Sequence, residues 1–102
     1  MSLVMVALTM GLPAPAIAQS LLGVEQQSRQ CLQGGPRAGC SLALRQSEVL
    51  QERAAELQAF PCQTVLLGLQ ADLIMERDGQ GRGAEAIADL PGIVRGCAEA
   101  GL

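Results

Sequence analysis

Four cysteines, Cys31, Cys40, Cys62 and Cys97, carry the chemistry that this sequence favours most. No two of them form the Cys-x-x-Cys pair that thioredoxin-type redox sites use. The 8, 21 and 34 residues that separate them match no zinc-binding pattern. An even number of cysteines in a short exported chain is typical of a disulfide framework. We therefore predict two structural disulfides and no metal site.

The residue types that are missing exclude several functions. The sequence contains no His, Trp or Tyr, its seven cationic side chains are all Arg, and Phe60 is its one aromatic residue. Without His or Lys, the usual general bases and Schiff-base nucleophiles are absent, and zinc and copper lose their commonest ligand. A net charge of -3 opposes binding to phosphates, and a single ring offers little for bases to stack on. The sequence predicts a protein that is not an enzyme, has no catalytic residues, holds no cofactor and binds no nucleic acid.

Three glutamates form the acidic face that the sequence offers to a partner. Glu48, Glu52 and Glu56 follow one another at intervals of four residues, which places them on one side of a helix. Like charges at this spacing destabilise a helix slightly, and Arg45 and Arg53 lie close enough to offset them. One interpretation is a docking face for a basic partner or a weak site for a divalent cation. The other is a solvated helix surface.

The charge of the chain is concentrated in its second half. Residues 61–102 carry three Arg and six acidic residues, which gives the whole net charge of -3, whereas residues 19–60 are neutral. This asymmetry would steer a basic partner, or serve solubility alone.

Residues 79–83 (Gly-Gln-Gly-Arg-Gly) indicate a flexible turn rather than a phosphate-binding loop, because a helix and not a strand precedes them. Arg82 is expected to cap helix carbonyls or to pair with Asp78.

The first eighteen residues have the features of a secretory signal peptide. Residues 3–12 are an uncharged apolar run, two prolines break it, and residues 16–18 supply the small side chains that a signal peptidase requires. The run is too short to span a bilayer. We predict that residues 1–18 are removed before Gln19, although a basic residue near the start is missing. The alternative is a buried N-terminal helix of a cytosolic protein.

Residues 19–102 are predicted to form one mature domain, located in the periplasm or outside the cell and without membrane contact. Helix-forming residues dominate this part, and no run of β-branched or aromatic residues alternates with a period of two. We predict an all-α fold of four short helices in two antiparallel hairpins, stapled by two disulfides. The predicted helices span residues 21–33, 38 or 39–58, 61–77 and 83–97. Pro91 either kinks the last helix or starts a second short one.

Apolar spacing predicts which sides of the central helices are buried. Residues expected to face the core are Leu42, Val49, Leu50 and Leu57 in the second helix and Leu66, Leu69 and Leu73 in the third. Leu67 and Ile74 give the third helix a second apolar side. A helix that is apolar on two sides should be the central, most buried one.

Helix geometry selects one disulfide pairing among three. Cys40 and Cys62 lie at opposite ends of the second predicted helix, about 30 Å apart at 1.5 Å per residue, whereas a disulfide needs Cα atoms within about 7 Å. Cys31 and Cys40 flank one turn, and Cys62 and Cys97 meet at the open end of the second hairpin. We therefore predict Cys31–Cys40 and Cys62–Cys97. The rival, Cys31–Cys62 with Cys40–Cys97, would need a broken second helix.

Two resemblances bear on ancestry. Leu-Leu-Gly opens residues 21–50 and again residues 66–95, and a glycine turn and an alanine-containing helix follow in each. This helix-turn-helix period resembles tetratricopeptide-type repeats, with only two units and without that family's large aromatic residues; the alternative is the generic similarity of helical hairpins. Residues 60–63 (Phe-Pro-Cys-Gln), leading into 66–75 (LLGLQADLIM), resemble small exported helical proteins of cyanobacterial type. That resemblance implies no activity.

These features together favour a non-catalytic function. We expect a small exported protein that binds another protein or serves as a structural accessory in the periplasm. The alternative is a carrier of a small apolar ligand between the two helical hairpins, because the third helix is strongly aliphatic.

Overall fold

The computed structural model describes residues 20–102, and this part of the chain contains four helices and no strand. The helices are α1 (Leu21–Leu32), α2 (Arg37–Glu56), α3 (Phe60–Arg77) and α4 (Ala84–Glu99). The all-α prediction is confirmed, and each predicted helix boundary lies within two residues of the observed one. The predicted signal peptide, residues 1–18, lies outside the described residues.

The helices form an up-down-up-down bundle of two hairpins. Helix α2 packs against α1 and α3, and α4 packs against the same two helices, so that the bundle closes with α1 beside α4. Helix α1 also contacts α3 across the diagonal. The first hairpin (α1 and α2) therefore packs against the second hairpin (α3 and α4), and the short connections within each hairpin favour antiparallel neighbours.

Core residues on every helix recur at intervals of three and four. The buried positions with this spacing are Leu21, Val24, Ser28 and Cys31 on α1; Cys40, Ala43, Ser47, Leu50 and Ala54 on α2; Cys62, Leu66, Leu69 and Leu73 on α3; and Ala86, Leu90, Ile93 and Cys97 on α4. Leu32 and Gln46, next to Cys31 and Ser47, are also buried. This spacing keeps one face of each helix directed at its neighbours over several turns. The core is aliphatic, with small side chains concentrated on α2.

The predicted core face of α2 is only partly correct. Leu50 is buried, but Val49 and Leu57 are exposed and Leu42 is half-buried. Ala43 and Ala54 occupy the core side instead, because small side chains allow helices to approach closely. Leu57 follows the last residue of α2, so it is not part of the helical face.

The second apolar side of α3 is not buried. Leu66, Leu69 and Leu73 form the predicted buried stripe, but Leu67 and Ile74 are 47% and 38% exposed. Helix α3 is packed on one side only, and the expectation of a helix buried on both sides is wrong. The reason is that α2, α4 and α1 all lie on the side of Leu66, and residues 20–102 contain no further helix to cover the other side.

Both disulfides pair as predicted. Cys31–Cys40 and Cys62–Cys97 each join Cα atoms 4.8 Å apart, and no free cysteine remains in the described part of the chain. The first bond lies at the turn of the first hairpin, and the second lies at the opposite end of the bundle, where α3 begins and α4 ends. Each bond stays within one hairpin.

Each helix ends in the same backbone arrangement. At the end of α2 the N–H of Gln58 donates to Ala55 O at 3.0 Å and the N–H of Ala59 to Ala54 O at 2.8 Å, which is a Schellman motif. The left-handed residue of this motif is Gln58, with φ of 56°, whereas α1, α3 and α4 use glycine at the corresponding position. Pro91 lies inside α4, which continues through it as a single helix.

Candidate binding groove between α3 and α4

A groove of about 530 Å³ lies on the surface of the second hairpin. Val65 and Leu69 from α3 and Ile93 from α4 line it with apolar side chains. Gly68 and Gly92 also line it, one from each helix. Asp72, Arg82 and Asp89 form its charged end. An apolar recess with a few converging polar groups is the usual form of a binding site.

The charged end is held together by one arginine. Arg82 Nε donates to Asp72 Oδ1 at 2.9 Å and Nη2 to Asp72 Oδ2 at 2.7 Å, which is a two-point contact, and Nη2 also donates to Asp89 Oδ2 at 2.8 Å. The hydrogen bonds to Asp72 and then to Asp89 raise the pKa of Arg82. The cluster contains one positive and two negative side chains, so this end of the groove carries a net negative charge.

The loop before α4 positions Arg82. Gly79 and Gly83 have positive φ values of 82° and 63°, which side chains other than glycine rarely adopt. A Cβ on Gly81 would lie 2.9 Å from the Cα of Glu76 and would contact its carboxylate more closely still. Three glycines therefore allow the loop to fold back over the end of α3 and direct the guanidinium of Arg82 toward Asp72.

The expected pairing of Arg82 with Asp78 is not observed. Asp78 instead contacts Arg77, its neighbour in sequence, at 3.4 Å. Arg82 joins one carboxylate from each helix of the hairpin. The loop of residues 79–83 thus holds a charged cluster between two helices. The sequence indicated a flexible turn here and did not predict this role.

Gly68 and Gly92 are not required by the packing of the bundle. A Cβ on Gly68 would meet no atom within 4 Å, and one on Gly92 would meet only Arg95 Nη2 at 3.9 Å. Glycine inside a helix is less stable than alanine by about 0.5–1 kcal/mol. Both glycines face open space in the groove, and the absence of a Cβ there would allow another backbone to approach closely.

The predicted acidic face lies elsewhere. Glu48, Glu52 and Glu56 are all exposed on α2, and none of them forms a salt bridge within residues 20–102. Glu52 and Glu56 border a shallow depression together with Arg53. The structure leaves this face on the first hairpin and does not bring it together with the carboxylates of the groove. Across the described residues, no three side chains of the metal-binding types are grouped to hold an ion.

The groove was not predicted, although the sequence contains a signal for it. In an antiparallel hairpin, residues at equal distances from the turn lie opposite each other. Counting outward from residues 80–81 pairs Asp72 with Asp89, Gly68 with Gly92 and Leu69 with Ile93. The last two pairs each differ from an equal count by one position, which is within helical tolerance. The predicted hairpin therefore already implied these neighbours.

No family model matches the chain, and no curated protein or solved structure matches it. In the stretch from residue 20 to 102, none of the helices combines the length and the apolar character of a membrane span.

Proposed function

We propose that this protein is a small exported, non-catalytic accessory that binds another protein through the groove between α3 and α4. The observation that carries the proposal is the pair Gly68 and Gly92, two helix-interior glycines that internal packing does not require and that face open space in the same groove. Close contact with a partner's backbone would explain why glycine stands at these two positions, which the packing of the isolated fold does not explain.

The chemistry of the groove defines the kind of segment that it would receive. Val65, Leu69 and Ile93 offer apolar contact, and the cluster around Arg82 gives one end a net negative charge. A segment with an apolar face and a basic residue beyond its end matches both features. The acidic second hairpin would add long-range attraction for the same partner.

Export and the absence of catalysis are parts of the same proposal. Both disulfides are closed, as is usual for proteins of oxidising compartments, and the predicted signal peptide would direct the chain there. The missing His and Lys argue against catalysis. A carrier of an apolar ligand between the hairpins is less favoured, because the apolar recess lies within the second hairpin.

Affinity capture with the oxidised protein tests the groove. We expect the double variant Gly68→Ala, Gly92→Ala to lose the captured partner while its free energy of unfolding increases by about 1–2 kcal/mol, since alanine favours helix and meets no clash. Gly39→Ala makes the same chemical change on α2, where a Cβ also meets nothing within 4 Å, and should retain the partner.

A second variant distinguishes binding by the groove from binding by the acidic face of α2. A triple variant with Glu48, Glu52 and Glu56 changed to Gln should capture the partner normally. Loss of the partner from this variant, together with retention by the double glycine variant, would assign binding to α2 instead. Failure to recover any protein above background would refute a protein-binding function.

A further inference from the structure

The walls of the groove between α3 and α4 determine which backbone conformation it can receive. Both walls are helices, and a helix offers no row of free backbone donors and acceptors such as the edge strand of a sheet presents. An extended segment in the apolar part of the groove would bury N–H and C=O groups without partners, which costs free energy for each group. A helical segment satisfies these groups internally. The groove therefore favours a helix as its occupant.

The length of the groove corresponds to about two turns of such a helix. Val65 and Asp72 lie at its two ends on α3, and the seven steps between them span about 10 Å at 1.5 Å per residue. Gly68 and Gly92 lie between these ends and present no side chain, so a third helix with a small residue at this level can pack closely. One turn away, an apolar residue of that helix would reach Val65 and Ile93, and one turn in the other direction lies the charged end.

Asp89 is the carboxylate of the charged end that remains open to a partner. Its Oδ2 accepts one hydrogen bond from Arg82, whereas its Oδ1 has no partner in the described part of the chain, and the side chain is exposed. Both oxygens of Asp72 are already bound to Arg82. Glu85, one turn before Asp89 on α4, is exposed and forms no salt bridge within residues 20–102. A cation at Asp89 would therefore meet negative charge that Arg82 compensates only in part.

The two ends of the groove carry opposite charge, which selects the direction of the bound helix. Arg95 lies beside Gly92, with its Nη2 3.9 Å from the position that a Cβ on Gly92 would take, and it has no carboxylate partner within residues 20–102. The N-terminus of a helix carries a partial positive charge and its C-terminus a partial negative charge. A helix that points its N-terminus at Asp89 and its C-terminus toward Arg95 matches both ends. It would run parallel to α4 and antiparallel to α3.

We propose that the occupant of the groove is an amphipathic helix of the partner, and that a basic side chain just before its first turn binds Oδ1 of Asp89. This inference rests on the proposed function and names the element of the partner that the groove binds. Along the facing side of that helix, a basic, a small and an apolar residue follow at intervals of about four residues. The small residue crosses Gly68 and Gly92, and the apolar one packs on Val65 and Ile93.

Titration of the oxidised protein, expressed from the whole chain, with synthetic peptides tests the helix by NMR. The probe is an alanine-based peptide of about 15 residues, long enough to form helix and capped by acetyl and amide groups. It carries arginine before its first turn, alanine one turn later and leucine two turns later. The amide signals of Gly68 and Gly92 should shift, with a Kd of about 1 mM or below. The same peptide with a central proline cannot remain helical and should not bind.

A double-mutant cycle tests the contact with Asp89. Asp89→Asn should weaken binding of the arginine peptide about threefold to fivefold, and should not affect a peptide with glutamine in place of arginine. Asp72 still holds Arg82 in this variant, so the groove keeps its shape. Glu48→Gln removes one negative charge from α2 and should leave both affinities unchanged. A peptide with its three facing residues in reverse order should bind more weakly than the probe.

Each result bears on one part of the proposal. Absence of coupling in the cycle would overturn Asp89 as the partner of the basic residue, and equal affinity for the proline peptide would overturn the helical occupant. Tighter binding of the reversed peptide would overturn the orientation. If the protein captures a partner that the double glycine variant loses, but binds no peptide, the helix is refuted and the proposed function stands. If the double glycine variant retains the captured partner, the proposed function itself fails.

Discussion

Ser28 on α1 and Ser47 on α2 are both completely buried, yet within the described part of the chain only Ser47 has a hydrogen-bond partner. Ser47 Oγ donates to the carbonyl oxygen of Leu44 at 2.8 Å, whereas Ser28 Oγ contacts no donor or acceptor. A buried hydroxyl without a partner has lost its hydrogen bonds to water and gained none in return.

This difference predicts the relative stability of two alanine variants. Ser28→Ala should give a protein whose free energy of unfolding exceeds that of Ser47→Ala by about 1 kcal/mol, because only the second change removes a hydrogen bond. The gain in helix propensity is the same in both variants and cancels in the comparison. Urea unfolding of both proteins measures the difference. Equal stabilities would show that Ser28 finds a partner in solution.

The disulfides should differ in their contribution to stability. Cys62–Cys97 closes a loop of 35 residues and Cys31–Cys40 one of 9. In the chain-entropy model these loops correspond to about 4 and about 3 kcal/mol. Replacing each pair by alanine and measuring thermal unfolding should show the larger loss for Cys62–Cys97, and full reduction should lower the melting temperature more than either replacement. An unchanged melting temperature under strong reductant would contradict a structural role for both bonds.

Gln58 offers a stabilising substitution. It is the one residue other than glycine in the left-handed region of the described backbone, where a side chain costs about 1–2 kcal/mol. Gln58→Gly should raise the free energy of unfolding by about 0.5–1 kcal/mol after the greater flexibility of glycine in the unfolded chain is included. Gln51→Gly, the same change inside α2, should lower it by about 1 kcal/mol. The prediction fails if both variants are destabilised.

The two carboxylates around Arg82 should not be equivalent. Asp72 receives two hydrogen bonds from the guanidinium and its side chain is 13% exposed, whereas Asp89 receives one and is 57% exposed. Solvent screens the more exposed contact more strongly. Asp72→Asn should therefore lower the melting temperature more than Asp89→Asn. Added salt should diminish the effect of Asp89→Asn more than that of Asp72→Asn, because partly buried pairs are screened less. A larger loss for Asp89→Asn would show that Asp89 is the principal partner of Arg82.

The sequence was informative wherever local physics decides the structure. Glycine and proline residues indicated where the four helices begin and end. The length of the second helix excluded a Cys40–Cys62 disulfide, and the observed pairing was then the simplest one that remained. The core face of α2 was harder to predict, because Val49 and Leu57 are large apolar residues and were therefore expected to be buried. Ala43 and Ala54 are buried instead, because the helices pack closely there. Alanine occurs in cores and on surfaces alike, so its position in the sequence says little about burial.

The candidate sites depended on relationships that a linear pattern does not contain. The pattern identified Leu67 and Ile74 as apolar but could not show that residues 20–102 provide no fourth neighbour to cover α3. Likewise, the partners of Arg82 follow from the path of a loop with positive φ at Gly79 and Gly83, which brings the side chain to both helices at once. Propensity gives the helices, and only tertiary packing gives the groove.

The confinement of each disulfide to one hairpin also sets the order in which the chain can oxidise. During the proposed export, Cys31 would be able to react as soon as Cys40 has emerged from the translocation channel, before α3 or α4 is available. The second bond then needs only the second hairpin and does not disturb the first. In an exported chain, oxidation in the order of the cysteines would lead directly to the native connectivity, because each bond joins two consecutive cysteines, and no reshuffling of the bonds would be needed.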